Sequence, residues 1–194
     1  MPKMIGYQEQ VDGLVLLSED TEGYPKSTVE FDIPAGYHTM EFHYYNMHPA
    51  TNQVDFMFQV NAYDPSAGTP QLTGFNETIT STIWYVQAGE SSGSGLAYMG
   101  GYDQGNGTGY QALNYETGSD ADQATSGVLT ISNPSSTTYV KHFMGKANTS
   151  QSDDYTVYTG VGGYINTALA ITQISFKFDS GNVDSGIIRM YGVR

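Results

Sequence analysis

The 194-residue chain carries 20 acidic against 7 basic residues, a formal charge of −13, and no cysteine. That balance repels phosphate backbones and anionic lipid, so it argues against nucleic acid and the membrane surface as partners. Without cysteine there is no disulfide framework, thiolate nucleophile or zinc–thiolate site. With 23 Gly, 16 Tyr and only 14% charged residues, the composition is that of pleated strands and tight turns, not of helices.

The opening, MPKMIGYQEQVDGLVLLSED, has one short apolar run at 14–17 and no basic region before it. It is read as neither a signal peptide nor a membrane span, and synthesis in a cytosol is expected. Residues 1–10 form a weak lead-in, and a first, weak strand is expected at 14–18. In STVEFDI, Val29, Phe31 and Ile33 oppose Thr28, Glu30 and Asp32. Such period-2 alternation marks a strand with one face on a core and one toward water. After the Pro34-Ala35-Gly36 turn, TMEFHYYN repeats the pattern with Met40, Phe42 and Tyr44 inward, and 46–49 reads as a turn. In QVDFMFQVNA, Val54, Phe56, Phe58 and Val60 form the apolar face, opposed by Asp55, Met57, Gln59 and Asn61.

A weaker strand follows at 79–86, and then the rhythm breaks. Residues 89–127 are rich in Gly, Ser, Asp and Asn, punctuated by Tyr98, Tyr102, Tyr110 and Tyr115. Tyrosine every few residues points to a long ordered loop or an inserted hairpin, and to an exposed contact surface. Further strands are expected at 128–131, 139–144, 155–159, 171–178 and 187–193, with turns at Asn133-Pro134 and Ser180-Gly181-Asn182. About ten strands at this spacing make a single domain over 1–194, an all-β, two-sheet antiparallel β-sandwich, jelly-roll-like in character.

The motifs carry little chemistry. GESSG at 89–93 matches G-x-S-x-G around Ser91, but a nucleophile elbow needs a helix after the serine, and SGSGLAYMGG does not make one. His38, His43 and His48 recur at odd offsets, which along one strand place successive side chains on opposite faces, with His48 expected in the turn before Pro49. Asp103, Asn106, Asp120, Asp122, Asp153 and Asp154 could supply oxygens to calcium, yet no D-x-[DN]-x-[DN]-G run is present. Glu41 and Asp55 fall on the solvent faces of their strands, where hydrated charge is the ordinary state. No catalytic residue, metal site or cofactor is assigned. The candidate partner or glycan contacts are Trp84, Tyr98, Tyr102, Tyr110 and Tyr115, whose flat amphipathic rings suit both subunit contacts and pyranose faces.

The ending INTALAITQISFKFDSGNVDSGIIRMYGVR resembles a C-terminal β-hairpin of virion proteins of tailed phages, marine ones especially. That hairpin has the form A-I-T-x-I-x-F, a Ser-Gly-Asn turn, then S-G-x-I-x-L-Y-G-V. The chain matches at Ala170, Ile171, Thr172, Ile174, Phe176, Ser180, Gly181, Asn182, Ser185, Gly186, Tyr191, Gly192 and Val193, with Met190 where Leu is commoner. YHTMEFHYYNMHPATNQVDFMFQVNA and SGVLTISNPSSTTYVKHF resemble two further blocks of the same family in the same order. The final strand is expected to close a sheet edge, with Arg194 discouraging further strand addition.

The resemblance implies a non-enzymatic structural component of a tailed-phage virion, a capsid decoration or small fibre-like surface protein. Its expected partners are copies of itself, in a homotrimer, and capsid or tail proteins of the same virion. The expected location is the virion, after synthesis in the cytoplasm of a host bacterium. Two alternatives stay open: a tail-associated module binding a host-surface glycan, and a carbohydrate-active enzyme on a β-sandwich.

Overall fold

The computed structural model describes residues 13–67, 72–91 and 93–194; the lead-in expected at 1–10 lies outside the described residues. Thirteen strands follow in chain order: β1 (Val15–Asp20), β2 (Val29–Asp32), β3 (Thr39–Pro49), β4 (Phe56–Tyr63), β5 (Ile79–Gly89), β6 (Ser94–Tyr98), β7 (Gly105–Gly107), β8 (Gln111–Ala112), β9 (Thr125–Ser132), β10 (Lys141–Ser150), β11 (Tyr155–Ile165), β12 (Ala170–Phe178) and β13 (Val183–Val193). They form two antiparallel sheets. The large sheet has nine strands in the order β1-β13-β3-β9-β10-β11-β5-β6, with β7 also on β5, and the small one has four in the order β2-β12-β4-β8. The fold is an all-β sandwich.

The first five strands alternate between the sheets, so almost every early connection crosses the core and delivers apolar side chains to both walls. Phe42 and Tyr44 of β3 in the large sheet meet the small sheet's aromatics: ring centroids lie 5.5 Å apart for Phe42–Phe176 and 5.2 Å for Tyr44–Phe56. Phe56 stacks on Phe176 at 5.7 Å, and Phe58 meets Phe143 of β10 edge-on at 5.1 Å. These tilted and offset pairs are the arrangements aromatic rings prefer, so the core gains specificity along with burial. Burial also pushes the Tyr44 hydroxyl pKa upward; its oxygen reaches the carbonyl of Lys146 at 3.4 Å.

The strands read from periodicity are all present, and most run longer than expected. The three beyond the expected ten, β6, β7 and β8, come from the Gly-rich segment 89–127. There β6 folds back on β5 as a hairpin, β7 pairs further along β5, and β8 pairs β4.

Several expectations are corrected. Residues 170–193 are not a hairpin: β12 pairs β2 and β4 in the small sheet, while β13 pairs β1 and β3 in the large one. Ser180-Gly181-Asn182, with Gly181 at φ 73°, therefore carries the chain from one sheet to the other. Ser185-Gly186 lies within β13 and marks register shifts against β3. A Cβ on Gly186 would lie 2.6 Å from Met47 Sδ, so the irregularity needs glycine. Nor does the last strand close an edge, because β1 pairs along its outer side.

The second correction concerns the small sheet's outer face, which is not simply open to water. Gln59 is fully buried, its amide donating to the carbonyls of Glu77 (3.0 Å), Thr108 (3.2 Å) and Gly109 (3.0 Å). Buried Asn61 accepts from the Gly74 N–H at 2.9 Å. The segments around 74–77 and 108–110 thus lie over β4 and satisfy its polar side chains, which alternation alone would assign to solvent. Third, His48 belongs to β3, not to a turn; a register shift between Tyr44 and Met47, with Asn46 at φ 49°, lets the strand continue.

Candidate functional site

The outer face of the large sheet changes character across its width. The adjacent strands β9, β10, β11, β5 and β6 contain no Asp or Glu, in a chain that holds 20 acidic residues. Beyond them, β13, β1 and β3 carry Asp184, Glu19, Asp20 and Glu41. The acid-free half presents Trp84 and Val86 of β5, Leu96 and Tyr98 of β6, Tyr158 of β11 and Met144 of β10, all exposed. Leu96 is 74% and Tyr98 67% accessible, values unusual for apolar residues within a sheet.

Pairing register explains the cluster. Trp84 lies opposite Tyr98 on one side and Gly160 on the other, and Val86 lies opposite Leu96 and Tyr158. Directly paired residues share a face, so these side chains project together. Gly160 is the device that lays Trp84 down: a Cβ there would sit 2.6 Å from Trp84 Cζ2 and 2.7 Å from Cε2. The indole rests on bare backbone, with the Tyr158 ring 6.0 Å away and tilted by 56°.

Of the five residues singled out in the sequence, the structure brings Trp84 and Tyr98 together on this face and Tyr102 and Tyr115 together away from it. Tyr98 donates its hydroxyl to Asp103, whose other oxygen accepts the Ile83 N–H at 3.0 Å. Tyr102 and Tyr115 are partly buried against the core, edge-to-face at 5.8 Å, and Tyr115 stacks on Tyr85 at 4.9 Å. Burial raises both hydroxyl pKa values, that of Tyr115 to about 12. Tyr110 lies on the opposite side of the sandwich, donating to Ser175 Oγ at 3.1 Å beneath the Lys177 ammonium, 4.5 Å from its ring. These three tyrosines lie away from the exposed cluster. Sequence reasoning missed Tyr158, Leu96, Val86 and Met144, whose signal was their place on strands without Asp or Glu.

Asp55, expected in solvent, is 7% accessible. Its carboxylate accepts the Glu116 N–H at 2.8 Å, and its own N–H donates to Asp179 Oδ1 at 3.2 Å. Burial is the chief cause that pushes its pKa up to about 6; the Glu116 hydrogen bond works against the shift, and the nearby Asp179 and Glu116 charges add to it. Glu41, by contrast, is half-buried and bonded to His43 at 2.8 Å. His48 bonds the Asp120 carbonyl at 3.2 Å, away from His43. Among the described residues no group of three His, Asp or Glu side chains is placed to hold a metal. The segment after Ser91 runs into β6, so the G-x-S-x-G match lacks its strand-to-helix turn. A cleft of ≈ 450 Å³ at one end of the large sheet, lined by Glu90, Asp122 and Asp154 among others, contains none of the five sequence candidates.

Comparison of the chain with protein-family models, with curated proteins and with solved structures finds no match.

Proposed function

We propose that the chain is a non-enzymatic structural component of a tailed-phage virion, a capsid decoration or small fibre-like surface protein that acts through protein–protein contacts. The observation that carries the contact reading is the acid-free outer face of β9, β10, β11, β5 and β6 with its exposed Trp84, Leu96, Tyr98, Met144 and Tyr158. Aromatic residues and Met enriched together, with acidic residues depleted, is the composition of interface cores. The virion assignment is supported by the resemblance of 170–193 and of the two preceding blocks to tailed-phage virion proteins. Quantitative mass spectrometry of purified particles tests it. A ratio near the major capsid subunit count, or a simple fraction of it, is expected of a decoration protein; a small multiple of three or six moves the protein to the tail. Absence from the particle overturns the assignment.

A second reading, a module that binds host-surface glycan, is favoured by the flat seating of Trp84 over Gly160. The tilt of Tyr158 against it leaves no coplanar platform, which is why contact with protein ranks first. Trp84 is the single tryptophan, so titration with sugars followed by its fluorescence separates the readings. Saturable quenching would favour glycan.

A further inference from the structure

We propose that β6 is a self-association edge, at which two copies of this chain pair their β6 strands antiparallel about a twofold axis at Leu96. The two large sheets then become one continuous sheet. This rests on the contact reading above and adds to that face a second contact, at the edge of the same sheet, that leaves the face itself open.

The backbone geometry supplies the first argument. The Gly89 N–H donates to the Gly93 carbonyl at 2.9 Å and the Met99 N–H to the Ile83 carbonyl at 3.0 Å. With the register Gln87↔Gly95 and Tyr85↔Ala97 between them, the odd-numbered residues of β6 are the ones that exchange hydrogen bonds with β5. Ser94, Leu96 and Tyr98 therefore turn their N–H and C=O groups to the outer side, where β6 ends the sheet. An antiparallel partner centred on Leu96 meets this pattern with its own: Leu96 faces Leu96, and Ser94 faces Tyr98.

The second argument is that this edge lacks the protections that edge strands β1 and β2 carry. Sheet edges are ordinarily blunted by charge, proline or bulges. Edge strand β1 has a register shift between Leu16 and Ser18 and carries Glu19 and Asp20. Edge strand β2 carries Glu30 and Asp32 on its exposed positions. Strand β6 reads SGLAY, with no charge and no proline. The Asp103 carboxylate beside it is folded back onto Ile83 and Tyr98.

Charge and side-chain rows decide the identity of the occupant. Two chains of −13 repel, and the acid-free strands are where they approach without opposing carboxylates. Cross-strand rows then run Val86–Leu96–Leu96–Val86 and Trp84–Tyr98–Ser94–Ala88 across the junction, extending the apolar strip through the axis.

Sedimentation equilibrium on the purified chain tests this. A dimer that dissociates on dilution is expected, with Leu96→Pro monomeric and unchanged in circular dichroism, because the amide it removes makes no bond to β5. Leu96→Lys, which leaves the backbone intact and sets two ammonium groups face to face, is expected to be monomeric as well and serves if the proline variant does not fold. Hydrogen exchange of the Leu96 amide should slow as concentration rises. A wild-type chain that stays monomeric, a trimer, or a dimer that persists in the folded Leu96→Pro or Leu96→Lys variant overturns the inference. None of those outcomes changes the copy number in particles, and absence from particles leaves a solution dimer intact, so the two proposals fail separately.

Discussion

Asp55 shows how a single side chain couples this fold to pH. Its folded pKa, about 6, lies above its ordinary value of 3.8. Between those values the folded chain binds the proton more tightly than the unfolded chain does. Its contribution to stability is therefore fully present below pH ~4 and is lost as pH rises through ~6, a difference of up to about 3 kcal/mol. Asp55→Asn keeps an acceptor for the Glu116 N–H and removes the titration. Urea unfolding should find the variant at least as stable as wild type at pH 7, the gap narrowing toward pH 4; parallel curves would contradict this. Two glycines of β11 are expected to behave oppositely on substitution. A Cβ on Gly163 would meet the Thr80 carbonyl at 2.3 Å and Ser81 Cα at 2.8 Å, backbone that cannot step aside. Gly163→Ala should cost about 1–3 kcal/mol by urea unfolding. On Gly160 the nearest atoms the Cβ meets belong to the Trp84 ring, which can lift. Gly160→Ala should shift the emission of this lone tryptophan to the red while barely moving the unfolding midpoint.

Among the elements, β13 carries the most consequence for assembly of the fold. It joins β1 to β3 after the chain has changed sheets, and its Val183 is also bridged by Lys26. Gly186, at φ 141° against Met47, permits the bulge that brings Ile188 and Met190 back to the core face. Gly186→Val is expected to lower the thermal midpoint more than Gly36→Val, since Gly36 also has positive φ but open space around its Cα. Strand existence was legible because alternation is a local signal: Val29/Phe31 and Met40/Phe42/Tyr44 are buried as their spacing implies. Sheet membership was not legible. Nothing local in SGNVDSG distinguishes a hairpin turn from a crossing, because both need glycine at positive φ. Gln59, Asn61 and Asp55 were misplaced for a related reason: the segments that cover them lie 12 or more residues away, and alternation does not report what lies above a strand.

For the molecule as a whole, the distribution of charge matters more than its total. Acidic residues are absent from five neighbouring strands, and the exposed aromatic strip lies there. Tyr98 and Trp84 were visible in the sequence as candidates, but Tyr102, Tyr110 and Tyr115 were indistinguishable from them until burial sorted the rings. Because pairing at the β6 edge brings two acidic bodies together, association should tighten with salt. The screening length falls from roughly 30 Å at about 0.01 M to about 8 Å at about 0.15 M. Sedimentation at the two salt concentrations checks this, and weakening with salt would point to ion pairs as the contact. The central claim is that the outer face of β5, β6 and β11 is the surface the protein buries when it works. Hydroxyl-radical footprinting, comparing the free chain with particles, measures that directly. Protection of Trp84, Tyr98, Tyr158 and Met144, with Tyr63 and Tyr139 still reactive, is the predicted result. Full reactivity of those four residues with protection elsewhere would contradict it.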